Sequence, residues 1–158
     1  MDSATTQRSL ISLAATLCLI LIHSTPANSY NNSPNAYEVL REYNFPMGLL
    51  PKGMKGYDLN SSTGEFSAYF NETCSFSVQG SYELKFSSTV TGYISKDTLS
   101  GLDGISVKFF LLTLNIVGII RNGDNLVISA GVESAPFPID NFEESPQCGC
   151  GFQCSLSE

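Results

Sequence analysis

Ile105-Ser106-Val107-Lys108-Phe109-Phe110-Leu111-Leu112-Thr113-Leu114-Asn115-Ile116-Val117-Gly118-Ile119-Ile120-Arg121-Asn122-Gly123-Asp124-Asn125-Leu126-Val127-Ile128 decides the fold. Ile105, Val107 and Phe109 alternate with Ser106 and Lys108, the period-two pattern of a half-buried strand. At Phe109-Phe110 the phase flips, and Phe110, Leu112, Leu114 and Ile116 then alternate with Thr113 and Asn115. A flip of phase predicts a bulge, a bend or a strand that changes sheet. Ile116 to Ile120 is apolar on both faces, so it is either a central strand covered by a helix or a wall of an apolar cavity. Asn122-Gly123 predicts a type I′ hairpin that sets Ile119 opposite Leu126 and Val117 opposite Ile128. The partners of Ile120 and Ile116 would then be Asn125 and Ser129.

Upstream, the same period continues. Phe66, Ala68 and Phe70 alternate with Ser67 and Tyr69; Cys74, Phe76 and Val78 with Ser75 and Ser77. Tyr82, Leu84 and Phe86 are followed by Val90, Gly92 and Ile94 with the same spacing. Gly64, Asn71-Glu72-Thr73, Gly80 and Ser87-Ser88 read as the turns between strands. Lys96 to Leu102 reads as one helical turn. A single helix is expected before the sheet, from Pro34 to Asn44. Ser33 would cap it, Pro34 fits its first position, and Ala36, Val39, Leu40 and Tyr43 share one face. Pro46 ends it. Met47 to Gly53 is a loop too apolar for solvent, and two prolines around Phe137 suggest an extended edge or a loop. The fold class is therefore mainly β: an antiparallel barrel-like or sandwich domain with one N-terminal helix.

The first segment has a different purpose. Met1 to Ala27 reads as a signal peptide: Arg8, an apolar run from Leu10 to Ile22, then Thr25-Pro26-Ala27. That run is short of the roughly 20 residues a membrane span needs. An uncleaved anchor is the alternative, with no stable span expected after cleavage. Residues 28–158 would then form one β-rich domain with a Cys-rich tail, of ordinary size for a single core. The end, Ser155-Leu156-Ser157-Glu158, is not a retention signal, so secretion is expected. Asn31, Asn60 and Asn71 each begin a sequon for N-glycosylation.

The only histidine, His23, lies in the signal segment, and the chain has no tryptophan. Ser-His-Asp and Cys-His catalysis are thereby closed to the mature chain. A net charge of -7 disfavours nucleic-acid binding, which needs concentrated basic charge. No P-loop, nucleophile elbow or dinucleotide fingerprint occurs, so no cofactor is expected. Asp97, Asp103, Asp124, Asp140, Glu143 and Glu144 leave carboxylate chemistry as the one catalytic option, but a Pro-flanked acidic loop is ordinarily solvated surface. Cys74, Cys148, Cys150 and Cys154 form an even set in an oxidising compartment, so two disulfides are expected. Of three connectivities, Cys74–Cys148 with Cys150–Cys154 is preferred, because a Cys148–Cys150 bridge would close a very small ring. A metal site is the rival, weakened by the C-x-C-x3-C spacing and the missing imidazole.

Tyr37 to Leu40, Phe45 to Pro51, Gly56 to Leu59, Thr63 to Phe66, Cys74, Gly92 to Ile94, Leu102 to Lys108, Phe137-Pro138 and Pro146 to Cys148 together resemble the plant family catalogued as domain of unknown function 538. Their order and spacing carry the resemblance, which covers nearly all of the mature chain. Many members carry Trp where this chain has Thr113, a difference that bears on local packing. The resemblance implies a plant secretory protein with a compact β-barrel-like or sandwich fold and a helix. It also implies a likeness to the lipid-binding modules of bactericidal permeability-increasing proteins, and a link to chlorophyll binding and removal of its phytyl chain.

The function expected is a binding module for a hydrophobic or amphipathic small molecule, of lipid or chlorophyll type. Its candidate apolar lining is Leu49, Leu50, Phe109, Phe110, Leu112, Leu114, Ile116 and Phe137, residues that offer contact without charge. The alternatives are a carboxylate-dependent hydrolase of esters or glycans, and a non-catalytic cell-wall or stress-response protein.

Overall fold

The computed structural model describes residues 34–78, 82–152 and 154. The expected signal segment, His23, Asn31, Ser33 and Gly80 lie outside the described residues. Eight strands make one antiparallel sheet: β1 (Met54–Leu59), β2 (Glu65–Phe70), β3 (Cys74–Val78), β4 (Tyr82–Ser95), β5 (Thr98–Phe109), β6 (Leu112–Asn122), β7 (Asn125–Ala130) and β8 (Glu133–Pro138). Their order is β1-β2-β4-β5-β6-β7-β8, with β3 also paired to β4. The sheet is not closed by pairing between its outer strands, β1 and β8.

Strand β4 sets the shape. Ser87-Ser88 is not a turn but lies within this 14-residue strand. Its first half pairs with β3 and its second with β2, with a register jump against β5 between Phe86 and Thr91. Gly104 supplies the bend at that jump, at φ 91° and so close to Thr89 that a Cβ would meet its carbonyl oxygen. The bent sheet turns one apolar face inward. Phe70, Phe76, Phe86, Val90, Leu99, Ile105, Ile119 and Leu126 are buried there, with Phe86 set edge-on to Phe70 and stacked on Phe76.

The helix, α1, runs from Ala36 to Glu42. Its cap is Asn35, so Pro34 precedes the helix rather than opening it. Asn35 Oδ1 accepts from the Glu38 N–H, and Glu38 Oε2 accepts from the Asn35 N–H, a reciprocal capping box. Val39 and Leu40 are buried. The helix stops at Tyr43, followed by Asn44 in the left-handed conformation at φ 67°.

Three local expectations need correction. Lys96 to Leu102 is not helical: Lys96 and Asp97 form a tight turn, and β5 begins at Thr98. Asp97 occupies the left-handed region there, which local sequence reading mistook for helix. The phase flip at Phe109-Phe110 is a two-residue hairpin turn. Phe109 pairs with Leu112, leaving Phe110 and Leu111 at the tip. In the next hairpin Asn122 pairs with Asn125, so the loop is Gly123-Asp124 and Ile119 faces Ile128. That two-residue slip keeps Ile119, Leu126 and Ile128 on one face, but Ile116 joins them there and Val117 turns outward, the reverse of the expected arrangement for those two residues.

Beta 6 is not sandwiched. A bulge between Ile116 and Gly118 lets both Ile116 and Ile119 point into the core. Val117 and Ile120 remain 40% and 49% exposed on the outer face, which α1 does not cover.

Candidate functional site

Alpha 1, the short 310 helix Met47–Leu49 and the inward face of the sheet border a partly open apolar cavity of about 70 Å³. Ala36, Val39 and Leu40 form its helical side, with Leu49 and Leu50 beside them. Strands β1, β2, β4, β5 and β6 supply the opposite walls, including Leu59, Phe66, Ala68, Val90, Leu99 and Ile119. The only side-chain polar atom in the lining is the Tyr57 hydroxyl, which already donates to the Pro34 carbonyl at 2.6 Å. No charged residue lines the space.

The segment carrying Leu49 and Leu50 is tied down from behind. The C-terminal strap runs through a second 310 helix, Ile139–Phe142. Gly48 packs against this strap so closely that a Cβ would collide with the Phe142 carbonyl. Ser145 Oγ donates to the Met47 carbonyl at 3.0 Å, and the Lys52 N–H donates to the Pro146 carbonyl at 2.8 Å. The strap is joined to β3 by Cys74–Cys148, and Cys150–Cys154 closes a small ring beyond it. The preferred connectivity is therefore the one present. Both bridges suggest an oxidising environment such as the secretory route. They also remove the thiolates that a zinc site would need among these four residues.

The eight residues expected to line one site do not come together. Leu49 and Leu50 line the cavity. Ile116 is in the core but outside this lining. Leu114 is half-buried on β6. Phe109, Phe110 and Leu112 form the exposed β5–β6 tip, and Phe137 is partly exposed on β8, paired with Leu126. Most of the lining was missed because it comes from positions far apart in sequence. Local alternation marks each as buried and does not say which buried residues leave space between them.

The carboxylates do not converge. Asp140, Glu143 and Glu144 are exposed on the strap, and Glu144 sits 3.8 Å from Lys52 Nζ. Among the described residues no three His, Cys, Asp or Glu side chains approach as a metal-binding group. Asn60 and Asn71 both lie exposed in turns. Asn60 Oδ1 accepts from the Ser62 and Thr63 N–H groups. Among the described residues no helix is long and apolar enough to cross a membrane.

A family profile matches residues 36–143, from the first residue of α1 to the start of the strap. The chain belongs to the family described as "Protein of unknown function, DUF538". The DUF538 region contains every residue that lines the cavity, and also the β5–β6 tip. It stops short of Cys148, so the DUF538 match includes one partner of the stapling disulfide and not the other. The chain is also 26% identical over 98 residues to Uncharacterized protein At5g01610 of Arabidopsis thaliana, a match covering 62% of this chain. It spans 57% of that relative's length.

Proposed function

We propose that this protein is a secreted binding module that takes the alkyl tail of an amphiphile, such as a fatty acid, lysolipid or phytyl-bearing pigment. The observation that carries this reading is the uncharged cavity between α1 and the curved sheet. At about 70 Å³ it has the bulk of roughly two to three waters, yet offers a water almost no hydrogen-bonding partner. Dry apolar space of that kind favours hydrocarbon. It is far below the several hundred Å³ that whole drug-sized ligands occupy. A tail therefore enters first, and a tetrapyrrole ring or polar head remains outside. Longer tails require α1 and the Leu49-Leu50 segment to shift outward. Each methylene buried contributes about 0.8 kcal/mol towards that movement.

The test uses lysophosphatidylcholine, palmitate and phytol below their aggregation limits, followed by calorimetry. Ala36 lies on the helical side of the cavity and is only partly buried, so Ala36→Leu fills the space from a position that favours helix. Saturable binding by the wild type, weakened roughly tenfold in Ala36→Leu at an unchanged melting midpoint, is the expected result. Equal affinity in both proteins, or no saturable binding of any of the three, contradicts the proposal.

A further inference from the structure

We propose that the β5–β6 hairpin tip, Phe109-Phe110-Leu111-Leu112, is a membrane-docking wedge that inserts into the surface of a zwitterionic lipid bilayer. The argument begins with cross-strand register. Phe86 pairs with Ile105, Leu84 with Val107, and Tyr82 with Phe109. Val107 pairs in turn with Leu114, and Phe109 with Leu112. All of these share one face of the three-stranded ribbon, because side chains directly opposite each other lie on the same side. The apolar stripe runs from the buried core at Phe86 and Ile105, through half-buried Leu84, Val107 and Leu114, and out to the exposed tip. The opposite face carries Glu83, Lys85, Ser106, Lys108, Thr113 and Asn115.

An apolar stripe ordinarily ends where the core ends. This one continues into solvent, where Phe110 is 76% exposed and Leu111 entirely so. The tip is also ordered by its own aromatics: Tyr82 stacks on Phe109 at 4.6 Å, and Phe110 sits edge-on to Phe109 at 4.5 Å. The backbone is strained as well. Phe110 takes φ 52°, a conformation that a bulky side chain avoids and that Asn or Gly would adopt at little cost. The sequence thus sets a large apolar side chain at the strained position, with a second, Leu111, fully exposed beside it. A lone outlier of this kind at an exposed tip points to function. The neighbouring β7–β8 turn emerges at the same end of the sheet and presents Val132, also fully exposed. The turns at the other end are Asn60 to Gly64, Lys96-Asp97 and Gly123-Asp124, all polar or charged.

The occupant follows from shape and charge. A tip two residues wide cannot bury the ~800 Å² per partner that a stable dimer needs. It is convex, and a bilayer interface accepts a convex apolar wedge without a matching groove. Tyr82, with a phenol above a ring, suits the headgroup depth. Lys85 and Lys108 beside Glu83 give the flanking face little net charge, and the chain carries -7 overall. Anionic lipid is therefore not the partner; apolar insertion into phosphatidylcholine is.

The absence of tryptophan provides a clean reporter. In the full mature chain, Leu111→Trp gives a single indole at the tip, and Asp124→Trp gives one at the opposite end. With phosphatidylcholine vesicles, Leu111→Trp emission should shift to the blue while Asp124→Trp does not. Wild-type protein should sediment with the vesicles, unchanged within about twofold at high salt, since screening acts on charge and not on apolar insertion. Only Phe110 of the two loop residues has positive φ, so Phe110→Gly with Leu111→Asn installs an ordinary hairpin turn and should lose roughly tenfold or more in partitioning while its melting midpoint holds or rises. Equal sedimentation of wild type and double variant overturns the proposal, as does failure of the wild type to bind. Concentration-dependent dimerisation that the double variant abolishes, without vesicle binding, assigns the tip to a second copy instead and also overturns it.

Discussion

Both ends of the sheet hold residues in the left-handed backbone region, and the two ends treat them oppositely. At the polar end, Asn44 and Asp97 sit at φ 67° and 63°. Asn44 Nδ2 donates to Asp97 Oδ1 at 2.6 Å, and the Asp97 N–H donates to the Tyr43 carbonyl at 3.1 Å. Arg121 Nη1 donates to the Asn44 carbonyl at 2.8 Å and to its Oδ1 at 2.9 Å, while the Arg121 N–H reaches the Asp97 carbonyl at 2.9 Å. Asn and Asp tolerate that conformation best among residues with a Cβ, and their side chains here fasten the end of α1 to two hairpins. At the apolar end, Phe110 has the same backbone geometry with a side chain poorly suited to it, and no hydrogen bond recovers the cost. Strain at the first end is offset inside the fold. At the second no such side-chain bond offsets it.

The covalent tie lies on the apolar side, where β3 meets the strap, and removing it has the largest expected effect. Cys74→Ala with Cys148→Ala opens a loop of sequence separation 74 and should cost about 4 kcal/mol in denaturant unfolding. It should also loosen the Leu49-Leu50 side of the cavity. Next comes the hydrogen-bonded tie at the polar end. Asp97→Ala loses the bond to Asn44 and puts a less tolerant residue at φ 63°, for about 2 kcal/mol in the same assay. Phe110→Gly with Leu111→Asn should move the other way, gaining about 1 kcal/mol by relieving a strained turn at Phe110. A loss of stability in that variant would mean that the tip serves the fold after all, and the contrast between the ends would fail.

The smallest effect concerns pH. Burial raises the Tyr37 phenol above its ordinary value of 10.0, a rise partly opposed by a backbone hydrogen bond. The folded state then holds its proton more tightly than the unfolded chain does. The resulting stability is fully present below pH 10 and is lost as pH climbs through the raised value. Tyr37→Phe should therefore show a shallower decline in melting midpoint above pH 10 than the wild type.

The strands at Phe66 to Phe70, Cys74 to Val78, Tyr82 to Phe86 and Ile105 to Phe109 were legible because period two runs through them, and so was the helix face at Val39 and Leu40. What failed was turn chemistry. Phe110-Leu111 contains none of the residues that mark a hairpin, so its phase flip read equally well as a bulge. A two-residue turn joins positions three apart on one face, which explains why Phe109 and Leu112 look out of phase along the chain. Ser87-Ser88 misled in the opposite sense, being polar residues inside a bent strand. The cap was visible as Asn35 followed three residues later by Glu38, but Ser33-Pro34 offered a competing start. The cavity was legible only at Leu49 and Leu50, where an apolar loop had no other explanation. Its remaining walls depend on pairings such as Ala68 with Val90, which local sequence does not encode.

Hydrogen–deuterium exchange with and without lysophosphatidylcholine, held below its aggregation limit, tests the central claim most directly. A tail in the cavity predicts slower exchange at residues 36–50 and along β1 and β2, with 109–112 unchanged in the absence of vesicles. Protection confined to 109–112, or no protection anywhere at saturating ligand, would contradict it.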